Sequence, residues 1–245
     1  MSLFLSMGGV FLKYKIADFI TEYEPKFKIL RNLSKPFQYF GLDETEIKLN
    51  ISSDAIERLL TKMTPETTIA QAEEFAYSGA FNKAIIKHNS VFIHSSALIY
   101  DGGAYLFSAR SGVGKSTHTK LWREAFPDKV QMINDDKPVV RLYNDKVIAY
   151  GTPFDGGSGI ANNISAPLKA IVFVERGEEN SVSIPSTSEV IQNLYMSSLR
   201  FINKESATLM LSNFEKLVNL TDFYILKCNT DISSAYIARD AIIKR

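Results

Sequence analysis

Cysteine is almost absent: Cys228 stands alone in 245 residues, beside only three histidines. One thiol cannot close an internal disulfide, and no Cys/His cluster has zinc-ligand spacing. The chain therefore fits a reducing compartment, the cytoplasm, with Cys228 in "YILKC" as a packed thiol. Neither sign of charge is in excess, 28 Lys+Arg against 27 Asp+Glu. That balance excludes the strong basic field of non-specific nucleic-acid binders, so no nucleic-acid partner is expected. Long apolar runs are missing as well. Stretches such as "AIVFV" fall far short of the ~20 residues a membrane helix requires, and no membrane association is expected. The opening "MSLFLSMGGVFLKYK" lacks a basic start, is broken by Gly8-Gly9 and soon meets Lys13, so it does not read as a signal peptide. Whether Met1–Ser6, ahead of Met7, are native is a question the sequence leaves open. No repeat and no low-complexity tract is present, which removes solenoids and disordered tails.

What is present is an ordinary globular composition, 45% apolar, sufficient for one sizeable core. We expect a single domain over residues 1–245, with a β-rich N-terminal part (1–63) and a larger core with C-terminal helices (64–245). The first part is read from short alternating patches, "VFLKYKIADF", "KFKILRN" and "EIKLNIS". Beyond it the period changes. "TTIAQAEEFAYSGAFNKAIIKH" sets Ile69, Ala72, Phe75, Ala76, Ala80, Ala84 and Ile85 at helical steps behind the start signal Thr64-Pro65-Glu66. "SVFIHSSALIY" and "AYLFSA" flank the turn "DGG", which predicts an antiparallel hairpin. A helix over "KSTHTKLWREAF", a strand "KVQMIN" and a hairpin "PVVRLYNDKVIAY" follow. The polar loop "GTPFDGGSGIANNISAP" carries four glycines and is long enough to be functional. A buried strand "LKAIVFVERG", helices near 188–200 and 204–218, a strand "FYILKC" and a final helix "SSAYIARDAIIKR" complete the order. The fold class is α/β with a mixed sheet, because the strand ahead of the glycine loop has an antiparallel predecessor.

The chemistry concentrates in "YLFSARSGVGKSTHTKLW", a strand, a glycine loop and a helix. Such a loop binds phosphate by curling successive N–H groups around it, with the partial positive charge of the helix start behind. Ser111, Gly112, Val113, Gly114, Lys115, Ser116 and Thr117 form the expected cradle. Gly112 and Gly114 stand where a side chain would block approach, Lys115 reaches the β/γ-phosphates, and the Ser116 hydroxyl suits Mg²⁺. Ala109 replaces the first glycine of the G-x-x-x-x-G-K-[ST] pattern. Asp135 and Asp136 lie about 20 residues beyond Lys115, at the end of a strand, where one carboxylate can hold a metal and the other accept a proton. An exposed turn before Pro138 is the plainer reading of that pair. His94, grouped with Phe92 and Ser96 on one strand face, reads by itself as a core histidine. His88 and His118 are weaker candidates. Arg110, Arg176 and Arg200 are cations able to neutralise a transferring phosphoryl group, although each alone reads as a surface arginine.

The run "VFIHSSALIYDGGAYLFSARSGVGKSTHTKLW", with "QMINDDKPVV" after it, resembles the catalytic domain of HPr kinase/phosphorylase. That bacterial protein serine kinase shares its P-loop core with ATP-dependent phosphoenolpyruvate carboxykinase. The strand histidine, hairpin, S-G-x-G-K-S loop and Asp-Asp pair occur in the family's order, with His94 standing 21 residues before Lys115. The resemblance spans about residues 88–180 and does not extend to the N-terminal part or the C-terminal helices. It implies a P-loop core of HPr kinase/carboxykinase type with ATP and Mg²⁺ as cofactors. It further implies Lys115 on the phosphates, Ser116 and one aspartate, assigned as Asp136, on the metal, and a carboxylate of the pair as proton acceptor with His94 beside it. The expected activity is phosphotransfer to a serine-type hydroxyl on a protein, peptide or small molecule. A nucleotide-binding regulatory module without turnover and a carboxykinase-like lyase are the alternatives.

Overall fold

The computed structural model describes residues 12–110, 112–198 and 203–243. Ser111, Arg200 and Met1–Ser6, all named above, lie outside the described residues. The N-terminal part opens with strands β1 (Leu12–Ile16) and β2 (Phe19–Tyr23), joined through Ala17 and Asp18, both at positive φ (51° and 62°). "KFKILRN" is not a strand. It forms helix α1 (Lys28–Ser34), and its start is held from outside by Glu73, whose carboxylate accepts the N–H groups of Lys26 (2.5 Å) and Phe27 (3.1 Å). That tertiary cap satisfies orphan donors which the local sequence leaves bare. Strand β3 (Ile47–Lys48) adds parallel to β2, and helix α2 (Ser53–Leu60) follows.

Helix α3 (Ile69–Ile85) is capped by Thr68, four residues beyond the Thr64 that opens the predicted signal. Thr64 and Thr67 hydrogen-bond each other in a turn, and the cap is a reciprocal Thr68–Gln71 box. Its buried face also differs from the apolar stripe. Glu73, Glu74, Tyr77, Ser78, Phe81 and Asn82 are buried, whereas Phe75 is 41% exposed. Phe81 packs against Phe19, Phe92 and Phe154, which ties the N-terminal sheet to the rest of the chain.

The predicted run "SVFIHSSALIY" divides into β4 (Ser90–Phe92) and β5 (Ser95–Tyr100), with Ile93 and His94 at the break. Strand β6 (Gly103–Ser108) pairs antiparallel with β5 around the turn at Asp101-Gly102, as the "DGG" signal predicts. Helix α4 (Lys115–Ala125), strand β7 (Val130–Asn134), the hairpin β8 (Val139–Leu142) and β9 (Val147–Tyr150), and the long β10 (Ser165–Arg176) come next. Strand β11 (Ser181–Ser183), helices α5 (Thr187–Met196) and α6 (Lys204–Leu220), strand β12 (Asp222–Cys228) and helix α7 (Ser233–Ile243) end the order.

Nine of these strands make one mixed sheet, β4-β8-β9-β10-β6-β5-β7, with β12 on β10 and β11 on β12. Strand β10 is its spine, parallel to both β6 and β12. Alternation along β10 feeds two cores. Ala170, Val172 and Val174 face Trp122 of α4 and Ala235 and Ala238 of α7, while Ile171 and Phe173 face Leu194 of α5 and Phe214 and Leu217 of α6. Trp122 is fully buried, ringed by Tyr100, Phe107 and Phe126. Truncating it to alanine is expected to cost about 3–5 kcal/mol. That core fixes α4, at whose start Lys115 stands. Among the described residues no helix is long and apolar enough to cross a membrane.

Candidate active site

Parallel β6, β7, β10 and β12 all end at one edge of the sheet, and antiparallel β5 starts there. Register brings Ser95 opposite Ser108 and Ala97 opposite Asn134, so the start of β5 lies between the glycine turn after β6 and the acidic turn after β7. His94 is set just outside β5 by its own peptide group. Its N–H donates to the Ser197 carbonyl (2.6 Å) and its carbonyl accepts from Ser108 Oγ (3.0 Å).

The glycine turn closes with the Val113 N–H on the Arg110 carbonyl (3.2 Å). Gly112 (φ 77°) and Gly114 (φ 128°) occupy backbone regions that a side chain disfavours. Gly114 begins α4 with no side-chain cap, and no acid sits in the first turn, so the helix start presents bare donors. Gly112, Ser116 and Thr117 are exposed, while Lys115 is only 9% exposed. Burial lowers the Lys115 pKa, and the Asp136 and Asp135 carboxylates pull it back up. Arg176, at the end of β10, grips the turn from outside, donating from Nη2 to the Gly112 carbonyl (2.5 Å) and from Nε to the Val113 carbonyl (3.3 Å).

The acidic turn is built by Asn134, which is fully buried. Its Oδ1 accepts the N–H groups of Asp136 (2.8 Å) and Lys137 (2.7 Å), and its Nδ2 donates to the carbonyls of Thr152 (3.0 Å) and Phe154 (3.2 Å). This side chain mimics a backbone turn and aims both aspartates outward from the strand end. Asp135 accepts from Ser96 Oγ, which in turn meets Thr119 Oγ1 of α4 at 2.7 Å. Among the described residues, Asp135 Oδ2 takes no hydrogen bond. Asp136 pairs through Oδ1 with His94 Nε2 (3.1 Å) and through Oδ2 with Lys137 Nζ. Burial pushes the Asp136 pKa up, but His94 and Lys137 overcome it and hold the carboxyl down at about 2.

Lys137 leads further inward. Its Nζ lies 3.6 Å from Glu74 Oε1, with side chains 13% and 5% exposed. Glu74 Oε1 also accepts the Gly156 N–H (3.0 Å). Gly156 (φ 61°) packs against the catalytic candidate so closely that a Cβ there would stand 2.5 Å from Asp136 Oδ2. The glycine loop predicted to be functional thus abuts the acidic turn. It is held by Asp155, whose carboxylate accepts the N–H groups of Gly157 (2.9 Å) and Gly159 (2.6 Å).

The structure therefore brings together Lys115, Asp135, Asp136 and His94, with Ser116 and Thr117 exposed at the helix start. Other candidates fall elsewhere. His118 is buried against Trp122, accepting its Nε1–H (3.0 Å), and burial depresses its pKa to about 4. Cys228 is buried near it, 3.9 Å from His118 Nδ1. His88 lies tilted against Phe19, with ring centroids 5.4 Å apart. Glu74, Lys137, Ser96, Thr119 and Asn134 were not among the predicted site residues. Only Asn134 had a local signal, an Asx-turn residue before Asp-Asp.

No protein-family model matches the chain, and no curated protein matches it. Among solved structures it is similar to the Hpr(Ser) kinase/phosphatase from Coxiella burnetii, at 14% identity over 52% of this chain and 96% of that chain, with a TM-score of 0.29. A likeness at that score carries no argument about activity.

Proposed function

We propose that the protein is a Mg²⁺-dependent phosphotransferase that moves the γ-phosphoryl group of ATP to a hydroxyl acceptor. The observation that carries this reading is the buried Lys115 at a bare helix start, faced by two carboxylates, one of them paired with His94 at 3.1 Å. A lysine, unpaired helix-start amides and adjacent acids form a receptor for an anion that brings a divalent cation with it. Among the described residues no cluster of three or more His, Cys, Asp or Glu side chains can hold a metal unaided. Magnesium suits such a site, because it commonly binds through one or two carboxylates together with substrate phosphates.

The Ser116 hydroxyl and the open Oδ2 of Asp135 are the donors that fit the metal. Asp136, assigned to it from sequence, has both oxygens engaged by His94 and Lys137. When bound, the metal would neutralise charge on the phosphates. Lys115 binds the β- and γ-phosphates, and the turn amides fix the phosphate chain. Asp136 orients the acceptor hydroxyl and takes its proton late, once bonding to phosphorus has made that oxygen acidic. A base with a pKa near 2 serves there, since the loose transition state asks mainly for positioning and charge neutralisation. His94 keeps that carboxylate in place.

Calorimetry with ATP, with and without Mg²⁺, and transfer of γ-label test the proposal. Lys115→Ala should abolish the heat. Asp135→Asn should raise the half-saturating Mg²⁺, whereas Asp136→Asn should lower kcat and leave the Mg²⁺ requirement unchanged. Wild-type protein giving no heat with MgATP would sink the reading.

A further inference from the structure

Two clefts flank the glycine turn, meeting at Val113 and Arg176. One, of about 380 Å³, runs past Thr117 and Leu121 of α4 to Asn229 and Thr230. The other, of about 480 Å³, lies between the turn, the end of β10 and helix α5. We infer that the second cleft is the acceptor site and that it takes a small alcohol with an apolar, uncharged body. This rests on the phosphotransfer reading above and deepens it.

The direction of the phosphate chain separates the two clefts. With Lys115 on the β/γ-phosphates and the first turn of α4 nearest the α-phosphate, the nucleoside continues past Thr117 into the smaller cleft. In-line displacement sets the attacking oxygen opposite the leaving one, so the acceptor must arrive from the far side of the γ-phosphorus. That side is the larger cleft. It also adjoins the histidine that pairs with the base: Ser108 and Ser197, which line it, are the residues that hold the carbonyl and the N–H of His94.

Its chemistry selects the occupant. Phe173 and Val174, 4% and 5% exposed, line it at the end of β10, and Met196 forms part of the α5 wall. The charges around it cancel, Arg110 and Arg176 against Glu175 and Glu189, so no net charge is favoured. A volume of this size lies within the range of small-molecule sites, roughly 300–1,000 Å³, and is a concavity that the broad face of a folded protein cannot fill. In the step itself the acceptor oxygen forms a bond to the γ-phosphorus, the bond from phosphorus to the β,γ-bridging oxygen breaks, ADP departs with that oxygen, and the hydroxyl proton passes to Asp136.

The test uses 2-phenylethanol and ethanol as probes with the full chain, and the variants Met196→Trp and Gln192→Trp, which fill the cleft from α5. In the presence of MgATP, saturation-transfer NMR should report the phenyl ring on the wild type and not on either variant. Labelled phosphate should pass to 2-phenylethanol with a KM roughly tenfold or more below that for ethanol, and filling the cleft should erase that advantage. ATP heats close to wild type in both variants establish that they are folded and that the nucleoside lies elsewhere. Ring signal or alcohol preference surviving in both variants overturns the inference. So does loss of ATP binding in them, a wild type that binds ATP and ignores 2-phenylethanol, or labelling of folded proteins alone. Failure of the wild type to bind ATP would instead remove the reading beneath it.

Discussion

Glu74 is the residue through which the acidic turn is held from behind, and replacing it tests the site's architecture. Its carboxylate stands 3.6 Å from Lys137 Nζ, and the two side chains are 5% and 13% exposed. At an effective dielectric near 20, that separation corresponds to about 4–5 kcal/mol of attraction, much of which offsets the desolvation of both ions. Glu74→Ala removes the attraction, leaves the desolvation of Lys137 in place and strips the Gly156 N–H of its acceptor. Lys137 keeps its pairing with Asp136, so the loss expected is about 2–3 kcal/mol, from one charged contact removed and one buried N–H left without its acceptor. Glu74→Gln retains an oxygen for Gly156 and should lose only about 1 kcal/mol. Urea midpoints at constant slope measure both. Catalysis should suffer beyond stability: Lys137 already pairs with Asp136, and without Glu74 behind it the lysine no longer holds that carboxylate in a fixed position. In protein still folded, kcat should fall roughly ten- to a hundredfold with ATP affinity retained. A Glu74→Ala protein within 1 kcal/mol of wild type, or with normal kcat, would refute the linkage.

Three further outcomes follow from the same geometry. Gly156→Ala, at φ 61° and with a Cβ placed 2.5 Å from Asp136 Oδ2, should cost about 1–2 kcal/mol in backbone strain and lower kcat without reducing the heat of ATP binding. His118, whose pKa falls from 6.5 to about 4 on burial, binds its proton more readily unfolded. Stability should therefore drop by about 2 kcal/mol as pH falls from about 7 to 5, and His118→Gln should flatten that part of the urea-midpoint profile. Arg176→Ala frees the carbonyls of Gly112 and Val113, so the ATP Kd should rise roughly tenfold, while the urea midpoint of this exposed residue's variant should move little.

Which of these features the sequence discloses depends on whether a local rule governs them. The hairpin was legible because "DGG" needs positive φ at Asp101 and Gly102, and both adopt it (46° and 74°). Lys115 and the Asp135-Asp136 pair were legible as turn residues at strand ends, whereas His94 read by itself as a core histidine and joined them only through the family resemblance. The break at His94 was not legible. "SVFIHSSALIY" keeps an unbroken alternating look, and only the partners differ: β4 joins β8, whereas β5 joins β6 and β7. The buried acids of α3 were hidden for another reason. Apolar periodicity scores a helix by its hydrophobes, and this helix buries Glu73, Glu74 and Asn82 because their partners, Lys26, Phe27, Lys137, Gly156 and Phe92, lie on other elements. The start of α1 failed likewise, its cap being Glu73 from a distant helix.

The antiparallel strand β5 gives the site a property that a wholly parallel sheet lacks. Parallel strands deliver only their C-terminal ends to the ligand edge, so every functional group there sits on the loop that leaves a strand. Here β5 delivers its beginning to that edge, between β6 and β7. Its second residue, Ser96, is fully buried and meets Thr119 of α4 on one side and Asp135 of the acidic turn on the other. Ser96 thus couples the helix that carries Lys115 to a carboxylate facing it, through hydroxyls whose positions are set by packing on the Trp122 side of the sheet. His94, immediately ahead of β5, does the same for Asp136 through its imidazole and is itself tied to α5 by the Ser197 carbonyl. One strand start therefore sets the spacing between the glycine turn and both acids, the dimension on which the proposed phosphoryl transfer depends.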